Sequence, residues 1–472
     1  MSMPPRSQSN RPLAALIVPD LLELLEERPE SIGPQTEEMH PADLADVAEA
    51  LPEGFVRAFL AALPKERAAE VLEYLDEELR TQFFEELSTG EAASIMAEMT
   101  PDERADALEG LDEEIADEIL SAFTPAEKAE TERLLQYDPY TAGGLMTTEF
   151  VSVDETLTVE EALLAVRSMA RAGRREAMYT IYTVDASGRL RGVLSLRELL
   201  AAPEGARISE LAWTEVVSVT PDTLQEAVSQ VTSNYDLVAL PVVDSFRRLL
   251  GVVTVDDVID VIQEEQTEDA QKFGGMEALE EPYMQIGLWQ NVRKRGGWLA
   301  ILAVSEMGTA SVMAHYEDSI GRVLLLSQFI PLVMSSGGNS GSQATSLIIR
   351  AMALGEVRLG DWWRVVLREI PAGFILGLLL GAIALARIIM WNALGLYDYG
   401  AHSTMIAITV GLALVGVVLV GSLTGSMLPF LLRRFGFDPA SASAPLVATI
   451  VDVSAISIYF AIAYRLLSGT LL

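Results

Sequence analysis

The sequence predicts a multidomain membrane protein: a cytosolic α-helical superhelical N domain, a duplicated α/β pair, a long connecting helix and a transmembrane domain of five helices. Three observations carry that prediction. Charge is split along the chain, the long apolar runs fall after residue 295, and helical periodicity gives way in between to alternating strands and helices. Of 472 residues, 33 are Lys or Arg and 68 are Asp or Glu, a formal charge of −35. Residues 1–290 hold 21 basic and 59 acidic side chains, a balance of −38; residues 291–472 hold 12 and 9, a balance of +3. Such acidity excludes nucleic acid as a partner, because phosphate would be repelled, and it suits cations. The absence of cysteine excludes disulfides, thiolate metal sites, iron–sulfur clusters and Cys nucleophiles. Three histidines, at 40, 315 and 402, are too few and too scattered for a zinc or iron site, so a metal here must be held by oxygen.

The N-terminus, residues 1–20, is expected to be disordered, with Met1–Arg11 rich in Pro and Ser. Leu13–Val18 is too short for the apolar core of a secretory signal, which places the acidic half in the cytosol. Residues 21–138 read as an acidic helical-repeat domain. Apolar residues recur at steps of three and four, as in Leu44, Val47, Leu51 and in Ala68, Val71, Leu72, Leu75. Pro52, Pro64, Pro101 and Pro125 mark helix starts. The stretch Ala69–Glu78 resembles Ala105–Glu114, about 36 residues on, and a helical superhelix of short repeats follows.

Residues 139–262 alternate strands and helices. Phe150–Val153 and Val216–Val219 each precede an amphipathic helix, and Tyr182–Asp185 followed by Gly192–Leu200 matches Pro241–Asp244 followed by Gly251–Ile259. Two copies of one strand–helix–strand–strand–helix unit look like a tandem pair of cystathionine-β-synthase (CBS) domains. That resemblance implies a regulatory module able to bind ATP or another adenine nucleotide. The second copy keeps Gly251, Thr254 and Asp257, whose hydroxyl and carboxylate are suited to phosphate and ribose; the first has Ser195 and Glu198 instead. The alternative is that Thr254 is a structural cap between strand and helix. Residues 263–290 are assigned to an acidic connecting helix continuing the last helix of the pair, with Asp257, Asp260, Glu264 and Glu268 on one face. Like charges at that spacing ask for a cation or a basic partner.

Residues 291–472 form the transmembrane domain, with five stretches able to cross roughly 30 Å of hydrocarbon: Gly296–Ala314, Gly321–Ile349, Val365–Leu394, Thr404–Leu432 and Ala444–Leu467. Arg293, Lys294 and Arg295, then Arg350, Arg358, Arg364 and Arg368, then Arg433 and Arg434 lie on one side; the loops near His315–Asp318 and Asp398–His402 carry acids. The positive-inside rule gives a multi-pass protein of the cell (inner or plasma) membrane with a cytosolic N-terminus and an extracytosolic C-terminus. In the last span Pro445, Ala448 and Thr449 share a face with Asp452, the only acid of that span and read as the sole pore charge. In the second, Ser335–Gln343 is a run of small and polar residues in which Asn339 and Gln343 supply carbonyls; a tight helix crossing is the competing explanation. A wide path with one carboxylate suits a hydrated Mg²⁺, which gives up water reluctantly. These residues alone do not separate Mg²⁺ from Ca²⁺ or Mn²⁺.

The domain order, together with Tyr140–Met146, Ser336–Gln343 and Pro445–Asp452, resembles the MgtE family of magnesium channels and transporters over about residues 35–472. The resemblance implies a homodimeric, Mg²⁺-selective channel in the lipid bilayer, with Asp452 as principal pore ligand and Asn339, Ala448 and Thr449 nearby. It implies, too, that cytosolic Mg²⁺ closes the pore by binding between acidic faces. The sensing positions would be Glu66, Glu98, Asp102 and the Gly143 carbonyl, then Glu226, Asp236, Asp257 and Asp260. Glu268, Asp269 and Asp438 would follow at the connecting helix, with the segment of residues 140–146 leading into the first CBS domain. The competing readings are an ion-coupled divalent-cation carrier for Mg²⁺, Co²⁺ or Mn²⁺, and a CBS-regulated membrane nucleotide sensor. No Ser/His, Cys/His or metal–His constellation marks an enzyme.

Overall fold

The computed structural model describes residues 12–171, 179–203, 205–279, 283, 286–316, 324–400 and 402–468. It divides into two compact units, Met1–Glu264 and Glu265–Leu472.

In the first unit, helix α1 (Pro12–Glu27) begins inside the segment expected to be disordered, and residues 1–11 lie outside the described residues. Ala14, Leu21 and Leu25 are buried along one stripe of it, which is why the chain is helical from Pro12. After the short α2 (Ile32–Thr36) come eight helices: α3 (Pro41–Ala50), α4 (Glu53–Ala61), α5 (Lys65–Glu73), α6 (Glu77–Glu85), α7 (Thr89–Met96), α8 (Pro101–Glu109), α9 (Glu113–Ala122) and α10 (Pro125–Leu134). Their N-caps are His40, Pro52, Pro64, Asp76, Ser88, Thr100, Asp112 and Thr124, one every 12 residues. Each cap follows an apolar residue, and Leu51, Leu63, Leu75, Met99, Leu111 and Phe123 are buried, stapling the incoming chain to the core. Odd helices pack on odd (α3–α5–α7–α9) and even on even (α6–α8–α10), so the structural repeat is a 24-residue helix pair. The 36-residue match noted above is three such 12-residue steps, so it aligns an odd helix with an even one. Buried bonds obey the 24-residue period: Glu49 accepts from the Asp76 N–H at 3.3 Å and Glu73 from the Thr100 N–H at 3.0 Å. Arg80 and Arg104, also 24 residues apart, pair with Glu103 and Glu130, which are 27 apart, both at 3.1 Å.

Residues 141–147 lead into the first α/β copy in the chain and hydrogen-bond to the second. The N–H groups of Ala142 and Gly143 donate to Thr223 O (2.7 Å) and Pro221 O (2.9 Å), and Thr147 pairs with Val252. Gly144 must be glycine because a Cβ would lie 2.6 Å from Asp138 O and Pro139 Cα. The first copy has β1 (Val151–Asp154), α11 (Val159–Arg171), β2 (Thr180–Val184), β3 (Leu190–Ser195) and α12 (Leu196–Ala201). Its sheet runs β1–β2 parallel and β2–β3 antiparallel. After α13 (Ile208–Leu211), the second copy has α14 (Gln225–Tyr235), β4 (Ala239–Val243), β5 (Leu249–Thr254) and α15 (Val255–Phe273). Its expected first strand is reduced to one parallel bridge, Val219 to Val242. Both hairpins bulge at the same place, between Thr183 and Val184 and between Val242 and Val243. Helix α15 ends at Phe273, with Gly275 in the left-handed region (φ 80°). The connecting helix therefore occupies residues 255–273, not 263–290.

The second unit contains α16 (Leu288–His315), α17 (Leu324–Ser327), α18 (Ile330–Ala353), α19 (Trp362–Ala393), α20 (Ser403–Arg434) and α21 (Ala444–Leu467). Among the described residues four helical stretches are long and apolar enough to cross a membrane: Leu288–His315, Leu359–Ala393, Ser403–Arg434 and Ala444–Leu467. The remaining expected span, the second in chain order, corresponds to α18, whose 24 residues reach about 36 Å. Its small polar run dilutes its apolarity, and residues 321–323 lie outside the described residues. Helix α18 packs against α20 and α21. A Cβ on Gly421 or Gly425 would run into the carbonyl oxygen of Gly337 or Gly341, so paired glycines four apart set the approach of α18 and α20.

Candidate functional site

In the first unit, acids converge where α8 meets α15. Asp102, in the first turn of α8, is 6% exposed, and its Oδ1 has no hydrogen-bond partner among the described residues. Burial, then the charge of Glu103, pushes its carboxyl up to about 7. Asp257 of α15 is raised well above the carboxylate range by burial and then by Asp102 itself. Asp260, one turn on, is raised by burial and then by Glu103 and Asp256, and its Oδ1 is likewise buried without a partner among the described residues. Glu73, at the end of α5, is pushed up to about 7 by burial, with Glu103, Asp102 and Glu70 adding to it. The structure thus brings together three expected residues, Asp102, Asp257 and Asp260. It adds Glu73, Glu103 and Asp256, which sequence reading missed because their helical spacing resembles that of solvated acids. Among the described residues no three acidic or imidazole side chains stand close enough to enclose a bare ion. The arrangement fits a cation that keeps part of its water.

Other expected positions stand apart. Glu66 and Glu98 are exposed in the first turn of α5 and just after α7. Glu226 and Asp236 sit at opposite ends of the 11-residue α14, about 15 Å apart along its axis. Gly143 lies under the Tyr137 ring, where a Cβ would approach within 2.6 Å. Thr254 Oγ1 donates to Asp257 Oδ2 at 2.5 Å, and Ser195 makes the same cap with Glu198 at 2.8 Å in the first copy. The capping reading of Thr254 is therefore realised in both copies.

In the second unit, Glu268 and Asp438 do meet, but around a resident cation. Lys272 Nζ donates to Asp438 Oδ2 at 2.6 Å and pairs with Glu268 one turn away. Burial lowers the Lys272 pKa, and the two carboxylates outweigh it and raise it above its ordinary value. Asp269 follows, half-buried on the same helix.

Within the bundle, Asp452 is half-buried on α21. Thr449 donates its hydroxyl to Pro445 O at 3.0 Å, and Ala448 faces Gly338, where an added Cβ would lie 3.3 Å from the Ala448 Cβ. On α18 the polar run divides by face. Gly337, Gly338, Ser340 and Gly341 are buried in helix contacts, whereas Ser335, Asn339, Gln343 and Ser346 form an exposed stripe, with Asn339 Nδ2 3.4 Å from Ser335 Oγ. The tight-crossing explanation holds for the buried face, while Asn339 and Gln343 stay outside the helix contacts. Sequence reading did not single out Glu306 on α16, an acid whose charge bears on Asp452 after the effect of burial. An acid within a span was itself the signal that could have found Glu306.

The chain matches three families in order: "MgtE intracellular N domain" at residues 39–140, "CBS domain" at 142–205 and 208–264, and MgtE, "Divalent cation transporter", at 330–462. It is 41% identical to the magnesium transporter MgtE of Thermus thermophilus over 92% of this chain and 94% of that one. With the protein of the same name from Enterococcus faecalis it shares 33% identity over 71% of each. A crystal structure of the soluble part of a magnesium transporter is 32% identical; the match covers 53% of this chain and 99% of that one, with a TM-score of 0.50.

Proposed function

Since the chain belongs to the MgtE family of divalent cation transporters, we propose that it moves Mg²⁺ through its membrane bundle under control of the acidic half. One observation carries the control: buried carboxylate oxygens of Asp102 and Asp260 lack donors among the described residues, in a group whose charges repel. Water or a cation must satisfy them. Asp102 on α8 and Asp257 and Asp260 on α15 hold the ion; a divalent cation supplies the positive charge that lets the two helices stay packed. When it is scarce, ionised Asp102 and Asp257 repel and loosen α15, the helix that also carries Glu268 and Lys272. In the bundle, Asp452 attracts the cation, with Asn339, Ala448 and Thr449 shaping the wall. Glu66, Glu98, Gly143, Glu226, Asp236, Asp269 and Asp438 are secondary contributors to cation sensing.

The protein acts as a homodimer of the cell membrane, a transporter and not an enzyme, with cytosolic N-terminus and extracytosolic C-terminus. The CBS pair takes an adenine nucleotide such as ATP near Thr254 and Asp257. The test is flux in liposomes. Asp452→Asn should abolish Mg²⁺ uptake, and undiminished uptake would remove it from the pore. The triple variant Asp102→Asn, Asp257→Asn, Asp260→Asn should conduct but no longer shut at internal Mg²⁺ that closes the wild type. Current that persists without any counter-ion gradient identifies a channel; strict dependence on that gradient identifies a carrier.

A further inference from the structure

We propose that Glu306 of α16 lies on the ion path beside Asp452, as a second carboxylate that sets how tightly and how selectively a divalent cation is held; this rests on the reading of Asp452 as the pore acid. The first support is helical phase. Residues 302, 306, 309, 313 and 316 advance in steps of four and three along one stripe of α16, and Leu302, Met313 and Tyr316 are half-buried there while Thr309 is 3% exposed. That stripe packs on α21, the helix of Asp452. Glu306 lies at the flank of this stripe and is exposed.

The second support is level. A Cβ on Gly308 would meet Val453 Cγ2 at 3.8 Å, so residues 308 and 453 are neighbours. Glu306 and Asp452 then lie within about 5 Å of each other along the helix axes. The charge of Glu306 is, after burial, the influence felt at the Asp452 carboxyl. No cation on α16 can neutralise Glu306, because Arg295 is 11 residues away, about 16 Å along the helix. Three residues on, the buried hydroxyl of Thr309 has no hydrogen-bond partner among the described residues, a second oxygen with unused capacity on this face.

The chemistry follows. An ionised acid facing hydrocarbon is unfavourable, and two ionised acids side by side are worse. A divalent cation between them removes both penalties, whereas a monovalent one leaves net negative charge. Glu306 would thus raise affinity and discriminate against Na⁺ and K⁺.

In liposomes, Glu306→Gln should raise the half-saturating Mg²⁺ concentration about tenfold while keeping the maximal rate within about twofold, and should weaken the preference for Mg²⁺ over Na⁺. Glu306→Asp should behave as wild type. The natural absence of cysteine permits an independent test. Glu306→Cys, gel-filtered to its folded fraction, should react with a charged, water-soluble methanethiosulfonate, more slowly with Mg²⁺ present, and labelling should block flux. Wild-type affinity and selectivity in Glu306→Gln, or labelling of Glu306→Cys by a lipid-soluble maleimide alone, overturns the proposal. If that happens while Asp452→Asn is dead, the pore reading stands; if Asp452→Asn conducts, the pore reading itself has failed.

Discussion

The helical repeat domain and the membrane bundle both pack helix on helix, and they do it with opposite materials. In the repeat domain a capped helix begins every 12 residues, large apolar side chains fill the middle, and carboxylates of Glu49 and Glu73 close the next repeat. In the bundle, α18 and α20 meet through glycine pairs that bring backbones together. The difference lies in the solvent. Water drives large apolar faces together and tolerates abundant charge. Hydrocarbon does neither, so close fit replaces bulk and the few acids that remain gain importance. An acid in the repeat domain is therefore informative when it is buried without a partner, and an acid in the bundle is informative by being there.

The sharpest way to break this contrast is to add one methyl group on each side of it. Gly425→Ala drives a Cβ into the Gly341 carbonyl, and it should cost about 3 kcal/mol or prevent bundle folding, read by detergent thermal unfolding. A wild-type melting temperature would mean that α18 and α20 do not depend on that approach. The next effect is on pH. Asp102 and Glu73 titrate near 7 in the folded chain against ordinary values of 3.8 and 4.5, so the folded state keeps protons that the unfolded state has lost. Stability should then fall as pH rises from about 4 to above 7. Without Mg²⁺ the acidic half should melt higher at pH 5.5 than at pH 8, and added Mg²⁺ should stabilise it more at pH 8. A melting temperature that climbs with pH would contradict the crowding of acids described here.

A smaller effect is expected at Lys272. Lys272→Met leaves Asp438 and Glu268 without their shared cation, and should cost about 1 kcal/mol because both carboxylates are partly solvated. The loss should shrink with added salt. Smallest is Gly90→Ala, the counterpart of the first test. It sits near the start of α7 with nothing within 4 Å of the new Cβ, and should gain at most about 0.5 kcal/mol.

Domain order, the division between acidic and membrane halves and the duplicated α/β unit were legible because each is a local pattern repeated many times. Helix starts were legible in part. Pro52 and Pro64 announce their helices, yet the 12-residue spacing emerges only once Asp76, Ser88 and Asp112 are recognised as the same position in different dress. The 36-residue match pointed to short helical repeats because three 12-residue steps bring similar residues into register. In the bundle, Asp452 stood out as a charge in an apolar run, while Glu306 did not, since the first span is the least apolar of the four long stretches.

By itself the sequence determined that this is an acidic, cysteine-free, oxygen-only cation handler with a membrane half, because composition and periodicity are sums over neighbours along the chain. Only the tertiary structure decided which of the 68 acids are buried without partners among the described residues, that Lys272 stands between Glu268 and an Asp438 that lies 166 residues away, and that Gly308 of α16 comes beside Val453, the neighbour of Asp452. Burial and pairing of charge depend on residues far apart in the chain, and no local pattern records who meets whom.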